Sequence, residues 1–494
     1  MHAALHSAAT TLGLIHAGFA GCHAPACLHQ DTVLDFDRLY RRSCALAQEL
    51  SGSRSPVMIR GHKHPSYLTA YWACLLAARP LIPIEPDLPL QRIRDVAARA
   101  GAGLMLLAGD ETPLDGDPGL PRRDITGFDG DATGFAPLPR DGGDTAYIMF
   151  SSGTSGQPKG IRVGYDNLAG FIDWLRDDLL GDTALRAVTG NVRYCFDVSL
   201  FELWTSWLRR IPLSALDHGD FINSRKYISR YADHAAGLWV STPSTIQFYL
   251  RDKTFNGQSL PDLKLFLFCG EILPKHLVLD LFQRFPGARV INTYGPTECT
   301  VAVTSVEITH DMLAEDRPLP IGKARKGCAL LLEDGQITIA GAPVGPGYVA
   351  LPERQAAAFP APDRYRTGDI GHQGPDGLWY FQGRADREIK LQGIRIDLNE
   401  IEEQIRALPG VQVAVVDPHR LRGQYRALHA YVSGPEDSDG LARLARDMAQ
   451  SLPAYMVPRF WFGCRDLQFN HNSKLDRGSF MAAAHAGDLR YVHD

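Results

Sequence analysis

At 494 residues, and about 150 residues per domain, the chain calls for two to four domains and not one core. With 45% hydrophobic and 22% charged residues it has the composition of an ordinary globular protein, neither disordered nor fibrous. Lys and Arg number 51 against 56 Asp and Glu, and a net charge of −5 provides no overall field for a nucleic-acid backbone or an anionic membrane.

Residues 8–21 are small and apolar, and Phe19-Ala20-Gly21-Cys22 faintly resembles a lipoprotein processing site. The first Lys or Arg is Arg38, so the positive start of a signal peptide is missing and export is not expected. The nine cysteines are scattered and too sparse for a disulfide framework, which points to reduced thiols and a cytoplasmic address. His16, Cys22, His23, Cys27 and His29 lie close together, but their spacing matches no pair of zinc knuckles, and no zinc is expected. The apolar stretch from Thr69 to Ile84 is broken by Arg79-Pro80 and falls short of the roughly 18 residues of a membrane span.

Further along, Leu104–Leu107 reads as a strand, and residues 109–142, crowded with Asp, Gly and Pro, as loop. Ala146–Phe150 reads as a strand before a Gly-rich loop, and Leu265–Cys269 as a strand before a helix starting near Pro274. No repeat or low-complexity tract is visible, and the alternation of strands and helices predicts α/β sheets covered by helices. The text changes between Tyr380 and Glu402: a polar turn over 383–387, then Ile389-Lys390-Leu391 and a charged helix start near Asn399. A boundary at about Asp386 divides a large part, 1–385, from a small α+β part, 386–494, which has its own Pro break at Leu452–Pro458.

The most informative stretch is YIMFSSGTSGQPKG, 147–160. A strand delivers Ser151 and Ser152, followed by Gly153, Thr154, Ser155, Gly156 and, after Pro158, Lys159. Small residues let backbone N–H groups close around phosphate oxygens, hydroxyls add donors, and the lysine adds charge. It is not the Walker form, because Gly-Lys-Ser/Thr is absent and Pro158 interrupts a helix start.

Together with LLAARPLIPIEPDLP (75–89), NTYGPTECTVA (292–302), YRTGDIG (365–371), GRADREIKLQGIRIDLNEIE (383–402), LPAYMVP (452–458) and NSKLDR (472–477), this loop resembles the superfamily of adenylate-forming enzymes nearly end to end. That superfamily comprises acyl-CoA synthetases, luciferases and amino-acid adenylation domains. The resemblance implies their fold, a large α/β part with a small mobile lid, and use of ATP with Mg²⁺. It implies that Asn292 and Tyr294 touch adenine, Thr297 an α-phosphate oxygen and Glu298 the metal, and that Asp369 accepts the ribose hydroxyls with Arg384 beside the nucleotide. Chemically, Tyr294 offers a stacking face, Gly295-Pro296 a close turn and Glu298 a hard oxygen. Lys474 matches the lysine that bridges substrate carboxylate and α-phosphate, although Ser473 stands where the family usually has Gly. Such a cation stabilises charge gathering on the phosphoryl oxygens. Cys27-Leu28 falls where the family has a strand.

The segment RYCFDVSLFELW, 193–204, bears on the acid that is activated. Ser199 and Glu202 fit a capping box for the helix that follows, which leaves Asp197 without a structural explanation. By resemblance to amino-acid adenylation domains Asp197 pairs with a substrate α-ammonium, and Val198, Phe201, Ser241, Leu267, Cys269, Thr293, Val301 and Ala302 line the pocket. With one charge and bulky Phe201 and Leu267, the pocket implies a small side chain. FLFCGEILP (266–274) with NTYGPTECTVAVT (292–304) is especially similar to D-alanine carrier-protein ligases, while glycine, L-alanine, serine and proline stay open.

The resemblance implies a two-step reaction: adenylation of the amino acid, then rotation of the small part about Asp386 and attack by a phosphopantetheine thiol, with Gly393 leaving room in the thiol channel. Neither a carrier attachment Ser in a Gly-Gly-x-Ser setting nor a condensation-type His-His motif is present, which implies a separate carrier protein. The rival readings are an acyl-CoA synthetase for a non-amino acid, disfavoured by Asp197, and a catalytically dead nucleotide-binding protein, disfavoured by Glu298, Asp369 and Lys474 together.

Overall fold

The computed structural model describes residues 8–109, 114–151, 158–217, 223–421, 424–435, 437–464 and 477–493. Among these residues, a nine-stranded sheet runs parallel through Arg289–Tyr294, Leu265–Phe268, Ala236–Ser241, Ala187–Gly190, Leu213–Ala215 and Pro25–His29, in that order. Antiparallel strands complete it, Thr304–Glu307 and Lys323–Ala324 at one edge and Thr32–Asp35 at the other. A seven-stranded sheet runs parallel through Thr145–Ser151, Leu81–Ile84, Val57–Gly61, Leu104–Ala108 and Arg122–Asp124, and ends in antiparallel Lys159–Gly164 and Gly347–Tyr348. Parallel strands covered on both faces read as unbroken apolar runs, as in Leu265-Phe266-Leu267-Phe268, buried at all four positions.

The strands expected at Leu104–Leu107, Ala146–Phe150 and Leu265–Cys269 are present, the last ending one residue earlier, at Phe268. The helix expected from Pro274 is Lys275–Arg284, with Pro274 as its N-cap. Between 109 and 142 the one regular element among the described residues is Arg122–Asp124. A four-stranded antiparallel sheet, Cys328–Glu333, Gln336–Gly341, Arg364–Gln373 and Trp379–Arg384, follows the two large sheets.

The main core is shared by both large sheets: Val57, Ile59 and Leu106 of one and Leu238, Val240 and Leu265 of the other belong to a single buried cluster. Helix Ser66–Leu76 is buried at every position, as an all-round apolar sequence requires. It packs with helix Ser199–Arg209 through Trp72, Trp204 and Trp207, whose ring centroids lie 4.9 to 5.5 Å apart. This packing fixes the start of Ser199–Arg209, and with it Asp197.

The capping box expected at Ser199 and Glu202 does not form. The N-cap is Val198, and Ser199 is already inside the helix. Glu202 turns away to accept the backbone N–H groups of Asn191 at 2.8 Å and Val192 at 3.1 Å, just beyond strand Ala187–Gly190. Two donors leaving a strand, one of them buried, outweigh a helix terminus that 3₁₀-type bonds can satisfy.

The hairpin Glu388–Leu391 and Ile394–Asp397 opens the C-terminal part. Side chains alternate across it: Ile389, Leu391 and Ile396 are buried in a separate cluster with Ile401, Val416, Leu444 and Trp461, while Glu388, Lys390 and Arg395 take the opposite face. The last sheet is Val413–Leu421, Gln424–Ser433, Phe460–Gly463 and Arg490–Val492, with helices Leu398–Arg406, Ser438–Ser451 and Arg477–Ala486. No helix among the described residues is long and apolar enough to cross a membrane.

Trp72→Ala should remove about 3–5 kcal/mol of stability by opening a cavity in the shared core. Guanidinium unfolding followed by tryptophan fluorescence would report it, and an unchanged midpoint would contradict a single core spanning both sheets.

Candidate functional site

The site lies beyond the carboxyl ends of the parallel strands, where α/β sheets place ligands. Strand Ala236–Ser241 ends on Ser241, Leu265–Phe268 leads to Cys269, and Arg289–Tyr294 delivers Asn292, Thr293 and Tyr294 before a 3₁₀ turn, Thr297–Cys299. The chain then reverses through Thr300 and Val301, both with left-handed backbone at φ 60° and 68°. A β-branched residue there is strained. The reversal brings Ala302 so close that a Cβ on Gly295 would meet its Cα at 2.5 Å, which makes Gly295 obligatory.

Asp197 is 9% exposed and, among the described residues, its Oδ2 has no hydrogen-bond partner. Burial pushes its carboxyl up to about 6, against the Thr297 hydroxyl and the Lys390 ammonium, which favour the ionised form. The residues expected to line the pocket, Val198, Phe201, Ser241, Leu267, Cys269, Thr293, Val301 and Ala302, are all buried. The polar ones are already bonded: Thr293 donates to the Phe268 carbonyl at 2.8 Å, and Ser241 donates to the Thr242 carbonyl and accepts from Trp239 Nε1. The Asp197 oxygen is thus an unpartnered acceptor in a largely apolar surround that also holds the unpartnered Tyr147 hydroxyl.

Glu298 is fully buried and densely partnered. Its oxygens accept from Arg395 Nη1 at 2.9 and 3.1 Å, Lys159 Nζ at 3.3 Å and the Tyr348 hydroxyl at 2.9 Å. Burial alone would raise its carboxyl, but the Arg395 and Lys159 charges overcome burial and hold it well below the usual carboxylate range. Glu388 joins the same charge cluster, 3.8 Å from Lys159 and 2.5 Å from Arg395 Nε. An ionised carboxylate is a hard-oxygen donor that Mg²⁺ could use, and in this structure Arg395 occupies both of its oxygens with Lys159 on one of them.

Asp369 accepts from the Tyr294 hydroxyl at 2.5 Å on one oxygen and from Arg384 Nη1 at 2.5 Å on the other. Arg384 continues to Asp386 at 2.6 Å and Glu388 at 2.7 Å. Asn292 donates to the Pro320 carbonyl at 2.8 Å. The structure therefore gathers Asn292, Tyr294, Thr297, Glu298, Lys159, Asp369, Arg384 and Asp386 around one polar region, with Ser151 half-buried at the end of its strand. Ser152, Gly153, Thr154, Ser155, Gly156 and Lys474 lie outside the described residues.

Sequence reasoning gave no role to Arg395, Glu388, Lys390, Tyr348 or Glu271. The alternation Glu-Ile-Lys-Leu and Ile-Arg-Ile-Asp was a usable signal, since it places Glu388, Lys390 and Arg395 on one face of a hairpin.

The AMP-binding enzyme family profile matches residues 17–349. The chain is 35% identical over 452 residues to a D-alanine–D-alanyl carrier protein ligase of Bacillus velezensis, covering 86% of this chain and 88% of that one. To the protein of the same name from Bacillus cereus it is 32% identical over 485 residues, covering 92% and 95%. In fold it is similar to holo-PA1221, a nonribosomal peptide synthetase protein with adenylation and peptidyl carrier domains bound to a vinylsulfonamide inhibitor. The TM-score is 0.83 at 25% identity, over 96% of this chain and 84% of that one. It is also similar to the Vibrio cholerae adenylation domain AlmE in complex with glycyl-adenosine-5'-phosphate, with TM-score 0.82 at 23% identity over 98% and 99%. The fold is that of the adenylate-forming enzymes.

Breaking a buried ion pair from one side costs about 3–5 kcal/mol. Arg395→Ala should accordingly loosen the hairpin and speed native-state trypsin cleavage after Arg384 or Arg387 at least tenfold, read by mass spectrometry. Unchanged cleavage would mean that the Glu298 contact does not secure the hairpin.

Proposed function

The chain belongs to the AMP-binding enzyme family, and on that premise we propose that it is an AMP-forming ligase that activates D-alanine with ATP and passes it as a thioester to the phosphopantetheine arm of a separate carrier protein. The observation that carries this reading is Asp197, a buried carboxylate with an unpartnered oxygen in an apolar surround. A site of that kind favours a ligand that brings a positive charge and rejects a plain carboxylic acid, which would leave the carboxylate unpaired. The small side chain follows from the buried walls Phe201, Leu267 and Cys269, and the choice of D-alanine is supported by relatives of that name.

In the first step a carboxylate oxygen of the amino acid bonds to the α-phosphorus of ATP, and pyrophosphate leaves with the bridging oxygen. Asp197 holds the ammonium, Asn292 and Tyr294 face the adenine, and Asp369 with Arg384 takes the ribose side. The loop of Ser151, Ser152, Gly153, Thr154, Ser155, Gly156 and Lys159, together with Thr297, receives the phosphates, and Lys474 bridges carboxylate and α-phosphate. Glu298 is the residue that would hold a Mg²⁺ ion, which would supply positive charge against the phosphates when bound. In the second step the carrier thiol attacks the carbonyl carbon and AMP leaves. Residues 386–494 turn about Asp386 between the steps, and Gly393 borders the thiol path.

Pyrophosphate exchange with both enantiomers of alanine, glycine, serine and proline tests the reading. The highest rate is expected with D-alanine, and exchange with none of them would overturn it. Asp197→Ala should raise the amino-acid KM roughly a hundredfold and leave the KM for ATP within about threefold. Because ammonium binding needs the ionised carboxylate, affinity measured by calorimetry should fall as pH drops below about 6, by about tenfold per pH unit, and Asp197→Asn should abolish that dependence. Lys474→Ala should abolish exchange while transfer from a preformed adenylate survives; equal loss of both half-reactions would refute that division.

A further inference from the structure

Glu271 lies two residues beyond Cys269, where the chain leaves strand Leu265–Phe268 for helix Lys275–Arg284. One of its carboxylate oxygens, Oε2, accepts the backbone N–H of Ser244 at 2.9 Å, which orients the side chain on the large part of the molecule. The other, Oε1, accepts the N–H of Gly393 at 2.6 Å, across a sequence separation of 122 residues. Gly393 is the second residue of the two-residue turn between Glu388–Leu391 and Ile394–Asp397, with Gln392 at φ 52° and Gly393 at φ 83°. In such a turn the hairpin's own bonds are made by the flanking residues, so the Gly393 N–H points outward and needs an external acceptor. The tip is also tightly seated. A Cβ on Gly393 would meet Thr242 Cγ2 at 2.2 Å, and a Cβ on Gly270 would lie 3.8 Å from the Gly393 Cα. Burial pushes the Glu271 carboxyl up, while the Ser244 and Gly393 N–H groups and the Lys390 ammonium favour its charged form.

We propose that Glu271 is a positioning residue for thioester formation: by holding the Gly393 N–H it fixes the hairpin tip beside the amino-acid pocket, so that thiol transfer depends on it and adenylate formation does not. The inference rests on the two-step reading above. A carboxylate suits the task because its two oxygens serve two N–H donors at once, one from each part of the molecule. Glutamine offers one oxygen and an NH₂ group, and so sets a donor against one of the two N–H groups.

The test uses the full chain with D-alanine, ATP and pantetheine as the thiol. In Glu271→Gln and Glu271→Ala, pyrophosphate exchange should stay within twofold of the unmutated chain, and single-turnover transfer from adenylate to pantetheine should fall at least tenfold. Hydrogen exchange provides a second readout: amides of residues 388–397 should exchange faster in Glu271→Gln, whereas a role confined to Ser244 would move only those of helix Pro243–Tyr249. Transfer within twofold, an equal loss of both half-reactions, or unchanged exchange at 388–397 would each overturn the positioning role while the ligase reading stands. Absence of exchange in the unmutated chain would overturn the ligase reading, and the division of steps with it.

Discussion

The arrangement depends on a buried negative charge at Glu298 and the cations that neutralise it. A carboxylate removed from water loses hydration worth several kcal/mol, and only close positive partners make the ionised form tolerable. Arg395 and Lys159 do so, and Arg395 comes from the hairpin that opens the C-terminal part. The same bond therefore settles the charge of the site and the seat of the hairpin. Nearby acids take opposite courses. Asp197 is pushed up to about 6 and Glu202 to about 8, both first by burial, the latter against the Lys63 charge and the N–H groups of Asn191 and Val192. Three buried carboxylates are thus sorted by their surroundings: one held by cations, one by backbone donors, one with an oxygen open for a ligand.

These charges share partners. Tyr294 donates to Asp369, which also accepts from Arg384; Arg384 binds Asp386 and Glu388; Glu388 accepts from Arg395; and Arg395 binds Glu298. A ligand that claims Asp369 or Glu298 takes an acceptor from Arg384 or Arg395. It thereby shifts the balance of contacts at the polar turn and the hairpin by the difference in its affinity for the two arrangements. The network provides the physical route by which a phosphate-bearing ligand and the hairpin compete for the same groups.

Periodicity made much of the fold legible. Apolar runs marked strands, whereas the alternation across 388–397, which is a two-faced hairpin in the structure, went unread. The Tyr294 and Asp369 strings stand out because each is short and local, and the structure bonds the two residues to each other. What escaped is non-local. Arg395 meets Glu298 across 97 residues and Glu271 meets Gly393 across 122, and neither spacing leaves a trace in a window of a dozen residues. The capping box failed for the same reason: Ser199 and Glu202 have the right spacing, but the claim on Glu202 comes from strand-exit N–H groups that a local pattern does not contain.

Under the proposed function, selectivity for a small side chain and stability of the core would be one property. Val198, Phe201, Leu267, Cys269, Val301 and Ala302, the residues proposed to face the substrate side chain, belong to the cluster that both large sheets share. Phe201 also packs edge-on against Phe171, with ring centroids 5.2 Å apart. A methyl group contributes only about 1–3 kcal/mol to discrimination, so a pocket selects among small amino acids mainly by refusing what does not fit. Walls held at core density cannot yield, which makes that refusal sharp. Widening the pocket by truncating one of these residues would then open a cavity in the core itself, at a cost of about 2–5 kcal/mol. A specificity for larger amino acids would have to be reached by exchanging several wall residues together, with their volumes compensated.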